Sequence, residues 1–171
     1  MKKIINHIIL KVVSPRKRAE FLRKYIKMGE NCEIHGEVSF GSEPYLIKIG
    51  NNVRITNGVQ FITHDGGVWV LRNNGQLKNA DLFGRIEIGD NVHIGINTII
   101  MPNVKIGNNV VIGVGTIVTK DIPDNSVAAG VPAKVIKTLD EYYIKNKDRA
   151  DFTKDKNQKD KREYLKTKFK L

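Results

Sequence analysis

From Ile88 onward the apolar positions return every six residues. Ile88, Ile94, Ile100, Ile106, Ile112 and Val118 each open a hexad, as in Ile88-Gly-Asp-Asn-Val-His and Ile106-Gly-Asn-Asn-Val-Val. The fifth position of these hexads is Val, Thr or Ile. The same register is visible upstream from Met28 and Ile34, and again from Ile49 and Ile55, with Phe61 opening a further hexad. A period of six is neither the helix period nor the strand alternation. It predicts short strands joined by tight corners, with one large apolar side chain per hexad pointing into a narrow interior. Three such strands make one triangular coil, and successive coils stack at the strand spacing of about 4.8 Å.

The fourth position supports the same geometry independently. In the ten complete hexads it is Asn31, Glu37, Asn52, Gly58, Asn91, Asn97, Asn103, Asn109, Gly115 and Asp121. All but Glu37 belong to the residue types that tolerate a left-handed backbone conformation at a corner.

Two interruptions break the register. Between Phe40 and Ile49 it slips by three residues, near Glu43-Pro44. Between Phe61 and Ile88 lies a stretch with Gly66-Gly67, Asn73-Asn74-Gly75 and Gly84, which predicts a long excursion from the coil over 65–87. Long loops on a rigid repeat scaffold tend to carry function.

The two ends differ from this middle. Apolar residues Ile4, Ile5, Ile8, Ile9, Val12 and Val13 recur at helical spacing and predict an amphipathic helix, which Ser14-Pro15 ends. A second, very basic helix is expected from Arg16 to Lys27. The amino terminus lacks the pattern of a secretory signal and is too short and polar to span a bilayer. Residues 139–171 read as a charged helical tail. The three expected parts are therefore 1–27, 28–138 and 139–171.

Charge follows this division. The net charge of +11 splits into +8 for residues 1–27, −1 for 28–138 and +4 for 139–171. A neutral folded middle argues against nucleic acid as a partner. The basic amino-terminal helix packs on the domain or a neighbouring subunit, or touches an anionic membrane surface. The single cysteine, Cys32, excludes an internal disulfide and fits a reducing, cytoplasmic compartment, at the inner face of the membrane if the helix makes that contact.

Over residues 28–138 the chain resembles the hexapeptide-repeat acyltransferases, in particular the maltose, galactoside and xenobiotic acetyltransferase group. The segments Ile112-Gly-Val-Gly-Thr-Ile-Val-Thr-Lys-Asp-Ile-Pro and Ala129-Gly-Val-Pro-Ala-Lys-Val-Ile carry the resemblance most specifically. It implies an all-β fold, a single-stranded left-handed parallel β-helix, here with helical segments at both ends. It also implies a homotrimer with its sites between neighbouring coils, and acetyl-CoA as co-substrate without a metal.

Residue by residue, the resemblance points to His64 as the general base, at the junction of coil and loop, where an imidazole suits proton abstraction near neutral pH. The oxyanion donor is the backbone N–H of Ile96. Asp65 or a backbone carbonyl is the expected orienter of the imidazole, and Trp69 and Arg72 are candidates for the acceptor pocket, Trp69 also for anchoring the loop against a subunit. His93 stands where many relatives have Trp and is a second candidate histidine. Gly113, Val114, Thr119, Lys120, Lys134 and Lys137 are the candidates for coenzyme A.

The expected activity is acetyl transfer to a hydroxyl of a sugar or glycan intermediate. The alternatives are N-acetylation of an amino sugar nucleotide or xenobiotic, and an acyl carrier protein as donor. Outside this class stand a zinc-dependent carbonic anhydrase-like enzyme, which needs a converging set of histidines, and a trimeric scaffold without catalysis.

Overall fold

The computed structural model describes residues 13–171, so the helix expected before Ser14 lies outside the described residues. The chain divides into two compact units, one ending at Asp140 and the other comprising Glu141–Leu171.

In the first unit the strands are short and the chain visits three sheets in fixed rotation. Strands Lys27–Met28, Ile47–Ile49, Ile86–Ile88 and Lys105–Ile106 build one sheet. Strands Glu33–Ile34, Arg54–Ile55, Val92–Ile94, Val110–Ile112, Ser126–Ala129 and Lys134–Thr138 build the second, and Gln60–Phe61, Ile99–Ile100 and Ile117–Val118 the third. All pairings are parallel except the last, where Lys134–Thr138 folds back antiparallel on Ser126–Ala129. The unit is thus a three-sided parallel β-helix.

Register confirms the period. Ile88 pairs with Ile106, Ile94 with Ile112 and Ile100 with Val118, each 18 residues apart. One coil earlier the offset is 21, as in Ile34 with Ile55, which absorbs the three-residue slip. Across the long excursion it is 39, as in Ile55 with Ile94 and Phe61 with Ile100.

The interior takes two side chains per hexad where one was expected. First-position residues such as Ile55, Ile94, Ile100 and Ile112 are fully buried, and so are fifth-position residues such as Val59, Thr98, Val104 and Thr116. The reason is strand alternation: a fifth-position residue and the next first-position residue, such as Val92 and Ile94, stand two apart on one strand, so both point to the axis. The hydroxyls of Thr98 and Thr116 are tolerated there because each donates to the Gly95 or Gly113 carbonyl at 2.8 Å.

Positive φ falls at eight of the ten fourth positions, with Asn31, Asn52, Asn91, Asn97, Asn103 and Asn109 at 55–62° and Gly58 and Gly115 beside them. The two exceptions are instructive. At the Ile34 hexad the left-handed turn moves one place earlier, to Gly36, which relieves Glu37. Asp121 keeps a negative φ and instead accepts the Lys105 N–H at 2.7 Å.

The amino-terminal helix Pro15–Leu22 starts at Ser14, whose hydroxyl accepts the Lys17 N–H, with Pro15 at the first helical position. It stops at Leu22 rather than continuing to Lys27, because Ile26 turns into the core and Lys27–Met28 pairs with Lys48–Ile49. The buried Arg18 donates to the carbonyls of Ile34 and Gly36 at 3.0 and 2.7 Å, closing backbone acceptors at the first coil's edge.

The second unit carries the end of helix Leu139–Lys147 and the helix Gln158–Phe169, capped by the Asn157 side chain on the Asp160 N–H. No residue of Glu141–Leu171 is buried. Among the described residues no helix is long and apolar enough to cross a membrane.

Candidate active site

The coil opens at Thr63 and closes at Gly84, whose N–H donates to the Thr63 carbonyl at 2.9 Å. His64 and Phe83 form an antiparallel bridge at the neck. The excursion therefore runs from His64 to Phe83, and residues 84–87 are already back on the coil, with Ile86–Ile88 in a strand. Part of the excursion is helical, Val68–Asn73.

His64 stands at this neck, half-exposed. Its Nδ1 lies 3.4 Å from the Oε2 of Glu43 and 3.4 Å from the Ser42 hydroxyl. Its ring meets Phe83 edge-on at 6.4 Å between centroids. Glu43 Oε2 also accepts from the Thr63 hydroxyl at 2.8 Å and the Ser42 hydroxyl at 2.9 Å. These donors, Thr63 first, then Ser42 and His64, hold the Glu43 carboxyl below the usual carboxylate range. An ionised, hydrogen-bonded carboxylate on Nδ1 favours the tautomer that leaves Nε2 as the acceptor.

Glu43 was not among the expected residues, and its signal was the three-residue slip. That slip sets an offset of 21 between the first two coils, and position 43 then stacks on position 64. The stacking of Phe40 on Phe61, 5.2 Å between centroids, and the bridge of Ser39 to Gln60 hold that register locally. Asp65, the expected side-chain orienter, does something else: its Oδ1 accepts the Gly67 N–H at 2.8 Å and shapes the turn into the loop helix. Adjacent residues on an extended segment diverge, so His64 finds its carboxylate on the preceding coil.

His64, Glu43, Asp65, Trp69 and Arg72 line one cleft of about 440 Å³, together with Asp81, Leu82 and Phe83. Trp69 is 60% exposed and offers a flat apolar wall. Arg72 is committed to the loop itself, donating to Asp81 at 2.5 Å and to the Ala80 carbonyl at 2.6 Å. It shapes the cleft by tying the two limbs of the excursion.

Ile96 sits at another corner of the coil, so one chain does not bring it to His64. Its corner is stacked between Asn57-Gly58 and Val114-Gly115, where the Asn97 N–H reaches the Asn57 carbonyl and the Gly115 N–H the Ile96 carbonyl. His64 instead belongs to the corner beyond Phe61, which Gly84 completes against Pro102 and Asn103.

The backbone at Ile96 has a specific cause. Where the first and second sheets meet, third-position N–H groups are closed by the side chain one coil on. Glu30 donates to Asn51 Oδ1, Asn51 to Asp90, Asp90 to Asn108 and Asn108 to Asp124, at 2.7–2.8 Å. At the Ile96 corner the residue one coil on is Val114, whose side chain has no acceptor atom. The Ile96 N–H consequently donates to no described residue.

The remaining candidates occupy the last coils. Gly113 lies against Ala129, close enough that a Cβ would meet the Ala129 Cβ at 2.9 Å. Val114 is 72% exposed at the same end, and Lys134 pairs with Ala129 on the closing strand. Thr119 and Lys120 are exposed at the corner two coils beyond His64, and Lys137 pairs with Val127 in the second sheet. His93 lies outward on the second sheet between Arg54 and Val111, away from the His64 corner. Burial first, then the nearby Arg54 and His35, push its pKa down. Among the described residues no three His, Cys, Asp or Glu side chains converge as metal ligands.

Residues 85–120 match the family model for the bacterial transferase hexapeptide (six repeats). Protein CapG of Staphylococcus aureus is 50% identical over 169 residues, 97% of either chain. Two solved structures share the fold at 35% identity. A maltose O-acetyltransferase from Clostridium difficile 630 has a TM-score of 0.56 over 71% of this chain and 74% of its own. A galactoside acetyltransferase in complex with coenzyme A has 0.55 over 81% and 76%.

Proposed function

The chain belongs to the hexapeptide-repeat acyltransferases, and we propose that it moves an acetyl group from acetyl-CoA directly to a hydroxyl of a sugar or glycan intermediate, with His64 as general base. The observation that carries this reading is the pairing of His64 Nδ1 with the Glu43 carboxylate at the mouth of an open cleft.

Glu43 and Ser42 hold the imidazole so that Nε2 meets the acceptor hydroxyl. His64 takes the hydroxyl proton as its oxygen attacks the thioester carbonyl, a contribution of roughly 10²–10⁴-fold in rate. The unengaged Ile96 N–H faces the negative charge gathering on the carbonyl oxygen. The imidazolium then gives its proton to the departing sulfur, leaving the acetyl ester and a free thiol. Trp69 provides a face for the sugar ring.

His64 and Ile96 occupy different corners on successive coils, so the reading includes a homotrimer in which one subunit supplies His64 and its neighbour Ile96. The exposed Ile96, Val114 and Val131 beside the outward Ile99 and Ile117 suit such a contact. The residues of the last coils fit coenzyme A: an open backbone at Gly113 and Val114 for the pantetheine amides, and exposed Lys120 and Lys134 for phosphates. Thr119 and Lys137 complete that set. The positive-φ asparagines at the corners support left-handed winding.

The test is thiol release from acetyl-CoA against a panel of sugars, amino sugars and sugar nucleotides, for the wild type and His64→Ala. Turnover on a hydroxyl acceptor that falls at least a hundredfold in the variant is expected. Turnover only on amino acceptors would replace O- by N-acetylation, and an undiminished His64→Ala would remove the base.

A further inference from the structure

The unit Glu141–Leu171 holds eleven Lys and Arg against six Asp and Glu and buries none of its residues. Its large apolar side chains are open: Phe152 is 88% exposed, Leu171 90%, and Phe169 and Tyr143 more than half. A piece of about 30 residues without a core is not held together by its own burial. What order it has comes from the Asn157 cap and from Asp151, which accepts from Tyr164 at 2.6 Å and Lys168 at 2.5 Å.

That arrangement leaves a cleft of about 800 Å³ lined by Lys154, Lys156, Lys161 and Arg162 around Leu165 and Leu171. Lys166 and Lys168 are paired with Glu163 and Asp151, but these four cations have no acidic partner among the described residues. The Lys156 ammonium lies 5.8 Å from the Tyr164 ring. The cleft therefore presents unneutralised charge on an aliphatic floor, and Phe152 and Phe169 are exposed in the same unit.

We propose that this unit is a docking surface for the anionic phospholipid face of a membrane. Charge complementarity points outside the chain, because residues 28–138 carry −1 and residues 1–27 carry +8. A second copy accordingly offers no net negative charge. The mixture of groups selects the partner's class. Ammonium and guanidinium groups pair with lipid phosphates, while Phe152, Phe169, Leu165 and Leu171 enter the boundary with the acyl chains. A nucleic acid would use cations with flat stacking faces and leave the aliphatic floor unused. The proposal stands independently of acetyl transfer, and it would place the enzyme where lipid-linked acceptors lie.

The experiment is co-sedimentation of the full chain with vesicles of phosphatidylcholine alone and of phosphatidylcholine mixed with phosphatidylglycerol. Binding to the mixed vesicles only, reversed by added salt, is expected. Lys161→Ser with Arg162→Ser should lower the partition about thirtyfold, at about fivefold per charge. Phe152→Ser with Phe169→Ser should lower it several-fold at unchanged charge. These side chains are exposed, so both variants keep the far-ultraviolet circular dichroism of the parent. Retained binding in the charge variant would move the contact elsewhere on the chain, and absence of binding to mixed vesicles would end the proposal. Equally tight binding of a short DNA duplex, indifferent to the phenylalanine changes, would assign the cleft to nucleic acid instead.

Discussion

The His64 Nδ1 lies 3.4 Å from the Oε2 of Glu43, a residue 21 positions earlier on the preceding coil. The carboxylate is itself held by the hydroxyls of Thr63 and Ser42. An imidazole restrained on one nitrogen presents the other in a fixed direction and in one tautomer, which is what general base catalysis requires.

Replacing Glu43 therefore affects kcat more than KM. Glu43→Ala should lower kcat by roughly 10–100-fold, less than His64→Ala, which removes the proposed base and its roughly 10²–10⁴-fold contribution. Glu43→Gln keeps a carbonyl acceptor for Nδ1 and should retain more activity than the alanine variant. Long-range nitrogen–proton NMR of the His64 ring checks the cause: one tautomer in the wild type, a mixture in Glu43→Ala. An unchanged ring spectrum would refute the orienting role.

The open N–H of Ile96 has its own test. Val114→Asn restores the acceptor that closes the equivalent N–H groups along the neighbouring corner column. Stability should hold or rise by about 1 kcal/mol, the net worth of one hydrogen bond. Meanwhile kcat should fall by roughly 10²–10³-fold, as for loss of one oxyanion donor. A variant that is stable and fully active would show that this N–H takes no part in the reaction.

The corner asparagines contribute stability through backbone conformation. Asn109 has φ of 55° and bridges Asn91 and Asn125, 2.9 Å on either side. Asn109→Val should cost about 1–2 kcal/mol for the left-handed conformation, with the lost side-chain bonds adding to it. Asn109→Gly keeps the conformation and should cost less. Urea unfolding of the two variants side by side separates the contributions.

Acid should weaken the fold through His93. Its pKa in the folded protein is lowered by burial first and then by the neighbouring Arg54 and His35. Above the unfolded value of about 6.5 both states are neutral and the residue contributes no pH dependence. As pH falls below that value the unfolded chain takes up the proton first, so stability declines until the folded imidazole is also protonated. The urea midpoint should therefore drop over that window, and His93→Gln should flatten that part of the decline. A midpoint just as steep in His93→Gln would assign the acid sensitivity to other groups.

Much of this was readable from residue order. The six-residue recurrence of Ile and Val, with Asn or Gly at fourth positions, specifies the coil because each pattern answers a separate local constraint, one of burial and one of backbone conformation. The excursion was visible from its glycines and from the failure of sixes to fill the gap. The second buried position per hexad, by contrast, was missed because Thr98 and Thr116 look polar; only the corner carbonyls they reach make them interior residues. The amino-terminal helix was drawn too long, since a run of basic residues carries no sign that Lys27 will pair with Lys48.

What the sequence alone determined is the period, the corner chemistry and the place where the coil breaks to present His64, because these depend on neighbours within a few residues. Tertiary structure decided which carboxylate meets that imidazole and which N–H stays open. Glu43 reaches His64, and Val114 fails to close Ile96, only once the coils have stacked. A contact between coils is set by the sum of all insertions lying between two residues, and no local pattern carries that sum.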